Sequence, residues 1–351
     1  MNFFLISDRA KVSVSDKTSS ILHILVCMTI IYILLMIFGL LGNILTILVV
    51  WLRPHMRSCT YLYLSSMAVS DILILLLLPL DLYKLWRPRP WPLGDLACKL
   101  TMFLSECCTF CTILHITFLS LERYLVVCWP FTAKTLVTQR RTRTIIGCLW
   151  LGAAVSAAPV LVMVGVEEVG GEDPGVDTRE CRCTHYASSS GLLSAMMILS
   201  NMYFLVPLCI LGLVYSLIGR TLWLRSHNNR RDQSQRHTIR MLGVIVLAFV
   251  LCWLPFHVGR TILTLSDGQE TNLQKFTGTN PDNQPYFLYY LSQYFNLVSS
   301  VLYYLSAALN PLLYNVVSTR YRHAVRSIVR THSHAQSHRQ HTLSLAANTS
   351  V

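Results

Sequence analysis

The sequence predicts an all-α membrane protein, a bundle of seven transmembrane helices with an extracellular N-terminus and a short amphipathic eighth helix on the cytoplasmic side. Three observations predict this fold class. Of the 351 residues, 53% are hydrophobic and only 13% are charged, whereas soluble domains carry roughly 25% charged residues. The apolar residues gather in seven long stretches. The Lys and Arg residues gather between alternate stretches.

Seven stretches are long and apolar enough to cross a bilayer. A spanning helix needs about 20 predominantly apolar residues, and it satisfies its own backbone hydrogen bonds in lipid. Five of the stretches contain no Asp, Glu, Lys or Arg, and two contain one acid each, Asp71 and Glu106. The predicted spans are residues 21–50, 58–80, 100–121, 144–166, 186–219, 241–259 and 286–319.

The distribution of charge predicts the orientation. With the N-terminus outside, the inner segments hold 18 Lys and Arg and two acids, and the outer segments hold 11 Lys and Arg and 13 acids. Lys and Arg accumulate on the cytoplasmic side of membrane proteins, so we expect a multi-pass plasma-membrane protein with its N-terminus outside. The net charge of +12 then reflects contact with anionic lipid and a cytosolic partner, and we expect no nucleic acid.

Four segments are predicted along the chain. Residues 1–20 form an extracellular tail and residues 21–318 form the seven-helix domain. Residues 319–330 alternate basic and apolar side chains, which is typical of an amphipathic helix on a membrane surface. Residues 331–351 are rich in Ser, Thr, His and Gln, a composition typical of disorder.

Short motifs follow one another in the predicted spans, each in its own span. They are Gly42-Asn43, Leu64-x-x-x-Ala68-x-x-Asp71, Glu122-Arg123-Tyr124, Trp150, Pro207 with Tyr215, Cys252-Trp253-Leu254-Pro255 and Asn310-Pro311-x-x-Tyr314. In this order they resemble the rhodopsin-like (class A) G-protein-coupled receptors over residues 21–330. The resemblance implies an extracellular ligand, a heterotrimeric G protein, and regulation by receptor kinases and arrestin through the Ser/Thr-rich tail.

The nearer resemblance is to the ghrelin and motilin receptor subfamily. Runs at 63–71, 89–91, 216–220, 252–260, 293–296 and 304–311 carry it. Within the subfamily, Leu114-His-Ile-Thr117 and Leu82-Tyr-Lys-Leu-Trp86 are closer to motilin receptors. Met102 stands where ghrelin receptors carry Gln. A motilin-like peptide hormone and signalling through Gq-class G proteins to phospholipase C and calcium are therefore implied. The ghrelin receptor is the alternative, which the short 167–185 loop favours.

Asp71 is the centre of a predicted activation site. A carboxylate at mid-membrane is costly and needs a partner, and we expect Asn43, Thr112 and Asn310 to surround it, with water or a sodium ion. The resemblance implies an allosteric sodium ion there and no other cofactor. A protonated, hydrogen-bonded Asp71 is the alternative interpretation.

The resemblance also assigns roles to conformational residues. Glu122 would hold Arg123 as a latch that opens to meet the G protein, although an Arg at a membrane edge also snorkels without any such role. Trp253 would act as a packing switch, although aromatic residues in spans ordinarily pack the core. The remaining implied residues are Tyr314 for activation, and Tyr124 and Tyr215 for G-protein coupling.

The ligand cavity is predicted between the third and sixth spans. Glu106 lies eight residues after Cys98 and Arg260 seven residues after Trp253, so about 12 Å and 10.5 Å of helix bring the two charges to similar depths. We therefore expect an ion pair, which the subfamily resemblance also implies. A hydroxyl partner for Glu106 and a snorkelling Arg260 are the alternative. Asp81 is expected to be free for a positive group of the peptide. The other predicted ligand-binding residues are Met102, Phe256 and Asn296.

Three cysteines lie on the predicted outer side, Cys98, Cys181 and Cys183. One disulfide and one spare thiol follow from this number in an oxidising compartment. The resemblance implies that Cys98 pairs with Cys181, and Cys183, two residues further on, remains the alternative.

Two other classes of protein, transporters and intramembrane enzymes, fit the sequence less well than a receptor. A transporter usually has internal repeats and several charges along a path through the membrane, and the sequence has no repeat and two acids within its spans. An intramembrane enzyme needs a nucleophile–base pair. Glu106 and His115 form no recognisable pair of this kind, so we expect no catalytic residues.

Overall fold

The structure is a computed structural model that describes residues 14–54, 58–87, 89–168, 177–224, 239, 243–244, 246–259, 261, 286–317 and 321–327. Side chains are not described at 14–21, 286–294 and 314–317. The described chain is mainly helical. Its long helices are α1 Val14–Leu52, α2 Cys59–Trp86, α3 Gly94–Cys128, α5 Gln139–Ala157, α8 Leu192–Leu224, α9 Val246–Gly259 and α10 Tyr286–Val317, and its short ones are α4 Pro130–Leu136, α6 Val160–Met163 and α7 His185–Ser189.

Helices occupy all seven predicted spans, but the fourth, predicted over 144–166, is divided into α5 and α6 and its last residues, 164–166, belong to a β-strand. Five segments are long and apolar enough to cross a membrane: Leu22–Leu52, Cys59–Trp86, Gly94–Cys128, Gln139–Met163 and Leu192–Leu224. The sixth span corresponds to α9, a shorter apolar helix within the described residues. The seventh corresponds to α10, which is 32 residues long.

Several helices extend past the predicted spans. The first helix begins at Val14, inside the predicted tail, and α3 runs from Gly94 to Cys128. The fifth span, predicted as one helix over 186–219, is divided into α7 and α8 at Gly191, whose φ is +75°. A left-handed backbone of this kind ends a right-handed helix and suits glycine.

The helices pack around α3, which contacts α2, α5 and α8, while α1 contacts α2 and α10. Two glycines let α1 approach its neighbours closely. A Cβ on Gly42 would lie 2.9 Å from the Pro311 side chain, and one on Gly39 would lie 2.6 Å from Leu75. The Gly42-Asn43 motif therefore has a packing reason at the contact between α1 and α10.

An unpredicted β-hairpin begins at the end of the fourth predicted span and continues into the predicted outer loop 167–185. β1 Val164–Glu168 pairs antiparallel with β2 Arg179–Cys183, with Val166 opposite Cys181. The Val166 N–H donates to Asp95 Oδ1 at 3.0 Å, and the Trp91 N–H donates to the Arg179 carbonyl at 2.9 Å. We call the end of the bundle that carries this hairpin the hairpin end.

The predicted eighth helix is described only at 321–327, which is helical. There the Tyr321 hydroxyl is 3.0 Å from Thr46 Oγ1 on α1. Its position on a membrane surface stays a prediction. Residues 1–13, the tail 331–351, and the loop segments 169–176 and 262–285 lie outside the described residues, and so do the segment boundaries predicted there.

Candidate ligand cavity and activation residues

A disulfide holds the hairpin against the bundle. Cys98 near the start of α3 is bonded to Cys181 of β2, with the two Cα atoms 5.6 Å apart. The predicted pairing is confirmed, and Cys183 stays outside the disulfide. Because β2 is fixed to α3 by this bond, its residues form one wall of a cleft at the hairpin end.

That cleft lies between α3, α6 and the two strands, and its free volume is about 30 Å³. This volume is well below the roughly 300–1,000 Å³ of a typical ligand pocket. Its walls are largely apolar, with charged side chains on two sides. It is lined by Met102, Ser105, Glu106, Val160, Met163, Val164, Arg182 and Cys183. Met102 and Glu106 were both predicted as ligand-binding residues, and the structure brings them to one cleft.

Glu106 is buried, with 6% of its surface exposed, and it has an interaction partner. Its predicted partner, Arg260, lies outside the described residues, so the ion pair between them stays a prediction. Asn296 is half-buried on α10.

Asp81 is not free, contrary to expectation. The Tyr304 hydroxyl of α10 donates to its carboxylate, and Lys84 Nζ lies 3.8 Å from its Oδ1. Lys84 also lies 5.0 Å from the centre of the Trp91 ring. A cationic group of a ligand therefore has to compete with Lys84 for Asp81.

Aromatic rings connect the cleft region to mid-bundle. Trp253 is almost fully buried and packs edge-on against Phe256 and Tyr303, with ring centres 5.8 Å and 5.4 Å away. The Tyr303 hydroxyl lies 2.8 Å from Ser105 Oγ, next to Glu106 on α3. Ser105 on α3 is therefore linked to Trp253 by direct contacts through Tyr303.

Asp71 forms a direct hydrogen bond with one of its three predicted neighbours. The Asn310 amide donates to Asp71 Oδ2 at 2.8 Å, and both side chains are buried. The Asn43 amide instead donates to the Gly39 and Ala307 carbonyls, each at 2.9 Å. Thr112 hydrogen-bonds Ser70, the residue before Asp71, at 2.9 Å.

A second cavity, of about 10 Å³, adjoins this group. Thr112, Ser306 and Asn310 line it, together with Trp253. Asn43 Oδ1 is buried without a hydrogen-bond partner among the described residues. Sodium prefers oxygen ligands, as hard cations do, so this donor set fits the implied ion, with Asp71, Thr112 and Asn310 as the residues to hold it.

The opposite end of the bundle carries the predicted latch. Arg123 Nη2 donates to Glu122 Oε1 at 3.0 Å, and the Thr142 hydroxyl donates to the second carboxylate oxygen at 3.4 Å. Glu122 is buried and Arg123 half-buried. The Tyr215 hydroxyl lies 3.4 Å from the Oγ of Ser120, which precedes Arg123 by one turn of α3. The ion pair that the predicted latch requires is therefore formed in this structure, and its role as a latch stays a prediction.

Two other predicted residues lie on helices of this region. Tyr124 packs on the small cluster formed by Val127, Val214, Ile218 and Leu222. Tyr314 lies on α10, and its side chain is outside the described part.

Some residues of these sites were missed by the sequence analysis. Lys84 follows Asp81 by three residues, a spacing that places both on one helix face, and this signal was readable. Arg182 stands between two cysteines on the outer side, which was also a usable signal. Tyr303 and Thr142 had none, because their partners are far away in sequence.

Comparison with known proteins identifies the family. The family model described as "7 transmembrane receptor (rhodopsin family)" matches residues 42–314. Growth hormone secretagogue receptor type 1 of Sus scrofa is 49% identical, over 83% of this chain and 77% of the relative. The Homo sapiens receptor of that name is 48% identical over the same shares. The motilin receptor of Homo sapiens is 39% identical, over 86% of this chain and 80% of the relative.

These matches span most of the chain, and they include every helix that contributes to the cleft and the latch. They confirm a receptor, and they exclude the enzyme and transporter interpretations. The chain belongs to the rhodopsin family of seven-transmembrane receptors.

Proposed function

We propose that the chain is a plasma-membrane receptor for a ghrelin-type peptide hormone that signals through Gq-class G proteins to phospholipase C and calcium. The observation that carries the choice of ligand is the identity of 49% to a growth hormone secretagogue receptor against 39% to the motilin receptor. The assignment to a motilin-like ligand, which is based on two short runs and Met102, is thus less well supported than the ghrelin alternative.

The cleft removes one argument for motilin. Met102 was expected to weaken any benefit from an acyl chain, because ghrelin receptors carry Gln at that position. However, Met102 lines the cleft beside the apolar residues Val160, Met163 and Val164. Burial of each methylene group against such a wall is worth about 0.8 kcal/mol, so an acyl chain would bind favourably if the cleft widened from its free volume of about 30 Å³.

The proposed mechanism is a shift of population between two conformations, with no chemistry on the ligand. A ligand shifts such an equilibrium only through its different affinities for the two states. The contacts proposed to change between the states run from Ser105, the residue before Glu106, through Tyr303 to Trp253 on α9. By analogy with the family, α9 then swings outward, and Arg123 leaves Glu122 to meet the G protein.

The orientation follows from charge and from the disulfide. Disulfides persist in oxidising compartments, so the hairpin end with its Cys98–Cys181 bond is proposed to face outside. The basic inner face then meets anionic lipid and the G protein. Residues 319–330 are proposed to lie on the inner membrane surface, and the Ser/Thr-rich tail is proposed to engage receptor kinases and arrestin.

A sodium ion at Asp71 is proposed as the allosteric regulator. It would be held by the carboxylate together with Thr112 and Asn310, both of which line the adjoining cavity. A cation there stabilises the ionised Asp71 in a buried site. Agonist binding and sodium binding would then oppose one another.

A calcium-mobilisation screen tests the proposed ligand. Cells expressing the chain are exposed to acylated ghrelin, the same peptide without its acyl chain, motilin and neurotensin, with a Gq inhibitor as the coupling control. We expect the most potent response from acylated ghrelin, and we expect the inhibitor to abolish it. A potent response to motilin with none to ghrelin restores the motilin assignment, and silence toward all four peptides refutes the proposed function.

A further inference from the structure

Three arginines lie in or beside the hairpin, and the structure pairs two of them. Arg89 Nε donates to Glu180 Oε2 at 3.2 Å, and Arg179 Nη2 lies 2.7 Å from Asp177 Oδ2. The third, Arg182 on β2, forms neither a salt bridge nor a side-chain hydrogen bond within the described part of the chain. Its Nε is buried and has no acceptor there.

Arg182 lines the cleft beside Glu106 and Met102. An unsatisfied buried donor costs about 1–3 kcal/mol, and more when it is charged. A bound ligand removes this free-energy cost if it supplies the acceptor. The planar guanidinium matches a carboxylate with two parallel hydrogen bonds, so its preferred partner is an anion of that shape.

Glu106 lines the same cleft and does not supply that partner. It forms no salt bridge with Arg182 among the described side chains. Two acids of the hairpin have other partners, because Glu180 bonds Arg89 and the Glu167 carboxylate accepts from the His185 N–H at 2.8 Å. Arg182 thus has no acidic partner within the described part of the chain.

We propose that Arg182 recognises a carboxylate of the peptide ligand and is a specificity-determining residue of the receptor. The inference rests on the proposed function, since the carboxylate belongs to the peptide hormone. Two sources share this chemistry, an Asp or Glu side chain of the peptide and its C-terminal carboxylate. The disulfide fixes β2 against α3 beside this site, so Arg182 is held in place before the peptide arrives.

The test combines receptor variants with peptide analogues in the calcium assay. Acylated ghrelin is the probe, or motilin if only motilin activates the wild type. Each acidic residue of the probe is replaced in turn by its amide counterpart, and one further analogue has an amidated C-terminus. The receptors are the wild type, Arg182→Gln and Arg182→Lys. Arg179→Gln is the matched control, because Arg179 lies on the same strand and is exposed and paired with Asp177.

We expect Arg182→Gln to raise the EC50 of the intact probe at least tenfold, with Arg182→Lys intermediate and Arg179→Gln within twofold. One analogue should already be weakened on the wild type and should lose nothing more on Arg182→Gln, since coupled groups are non-additive. That analogue identifies the carboxylate as internal or C-terminal.

Two outcomes overturn the inference: an unchanged EC50 for Arg182→Gln at normal surface expression, or an equal loss for every analogue. If Arg182→Gln does not reach the surface, Arg182→Lys with the same analogue series gives the decision. Failure of the proposed function is distinguished by the wild type alone, which would then respond to no peptide. In that case the proposed role of Arg182 also fails.

Discussion

Breaking the Cys98–Cys181 disulfide should destabilise the receptor and detach one wall of its cleft. The bond closes a loop of 83 residues, and the chain-entropy relation gives about 4.5 kcal/mol for a loop of this length. The helices of a membrane protein stay inserted when it unfolds in lipid, which already restricts that loop. We therefore expect a loss of about 2–4 kcal/mol from Cys98→Ser, or a Tm lower by roughly 3–5 °C.

The assay measures thermal stability and peptide binding of detergent-purified variants at matched surface expression. Cys98→Ser and Cys181→Ser should each lower Tm and strongly weaken binding, and the double variant should be no worse than either alone. Cys183→Ser is the control, because this residue lies on the same strand outside the disulfide, and it should change Tm by less than 2 °C, or roughly 1 kcal/mol. If Cys183→Ser is as damaging as Cys181→Ser, or if Cys98→Ser behaves as wild type, the reasoning is wrong.

Three further variants test the sites within the bundle. Wild-type affinity for acylated ghrelin should fall when sodium replaces a bulky organic cation, and Asp71→Asn should remove this dependence; an affinity that never responds to sodium refutes the ion site. Glu122→Gln should weaken the 3.0 Å bond to Arg123, which is worth about 1.5–3 kcal/mol for a charged group, and should raise ligand-independent signalling several-fold; unchanged basal signalling means that the latch does not restrain the receptor. Glu106→Gln and Arg260→Gln should each weaken agonist potency at least tenfold, and the double variant should lose much less than the sum; additive losses show that the two side chains do not meet.

The helices were predictable because each must match the thickness of a bilayer. Apolar length and the Lys/Arg asymmetry report directly on that requirement. The helix ends were less predictable, since polar residues at a membrane surface continue a helix as readily as apolar ones. The β1–β2 hairpin was not predictable, because its stability depends on Asp95, Trp91 and Cys98, which are distant in sequence.

The site was predictable where a buried charge requires a partner. Asp71 needed a donor inside the bundle, and the motif supplied Asn310. Asp81 was predicted to be free for the ligand because Glu106 was expected to pair with Arg260 and Asp81 lies nearer the mouth of the cavity. Its actual hydrogen-bond donor, Tyr304, is 223 residues away, and no local pattern indicates such a contact.

A peptide at the hairpin end and a G protein at the opposite end are proposed to stabilise the same conformation. Coupling between two sites is reciprocal in binding free energy, so the direct measurement is the affinity of acylated ghrelin for the purified receptor in lipid nanodiscs, with and without nucleotide-free Gq. We expect Gq to increase the affinity for the peptide by about 5–150-fold, the usual range of allosteric coupling. Added guanine nucleotide should reverse this increase in affinity. Peptide affinity that is the same with and without Gq would contradict this proposal.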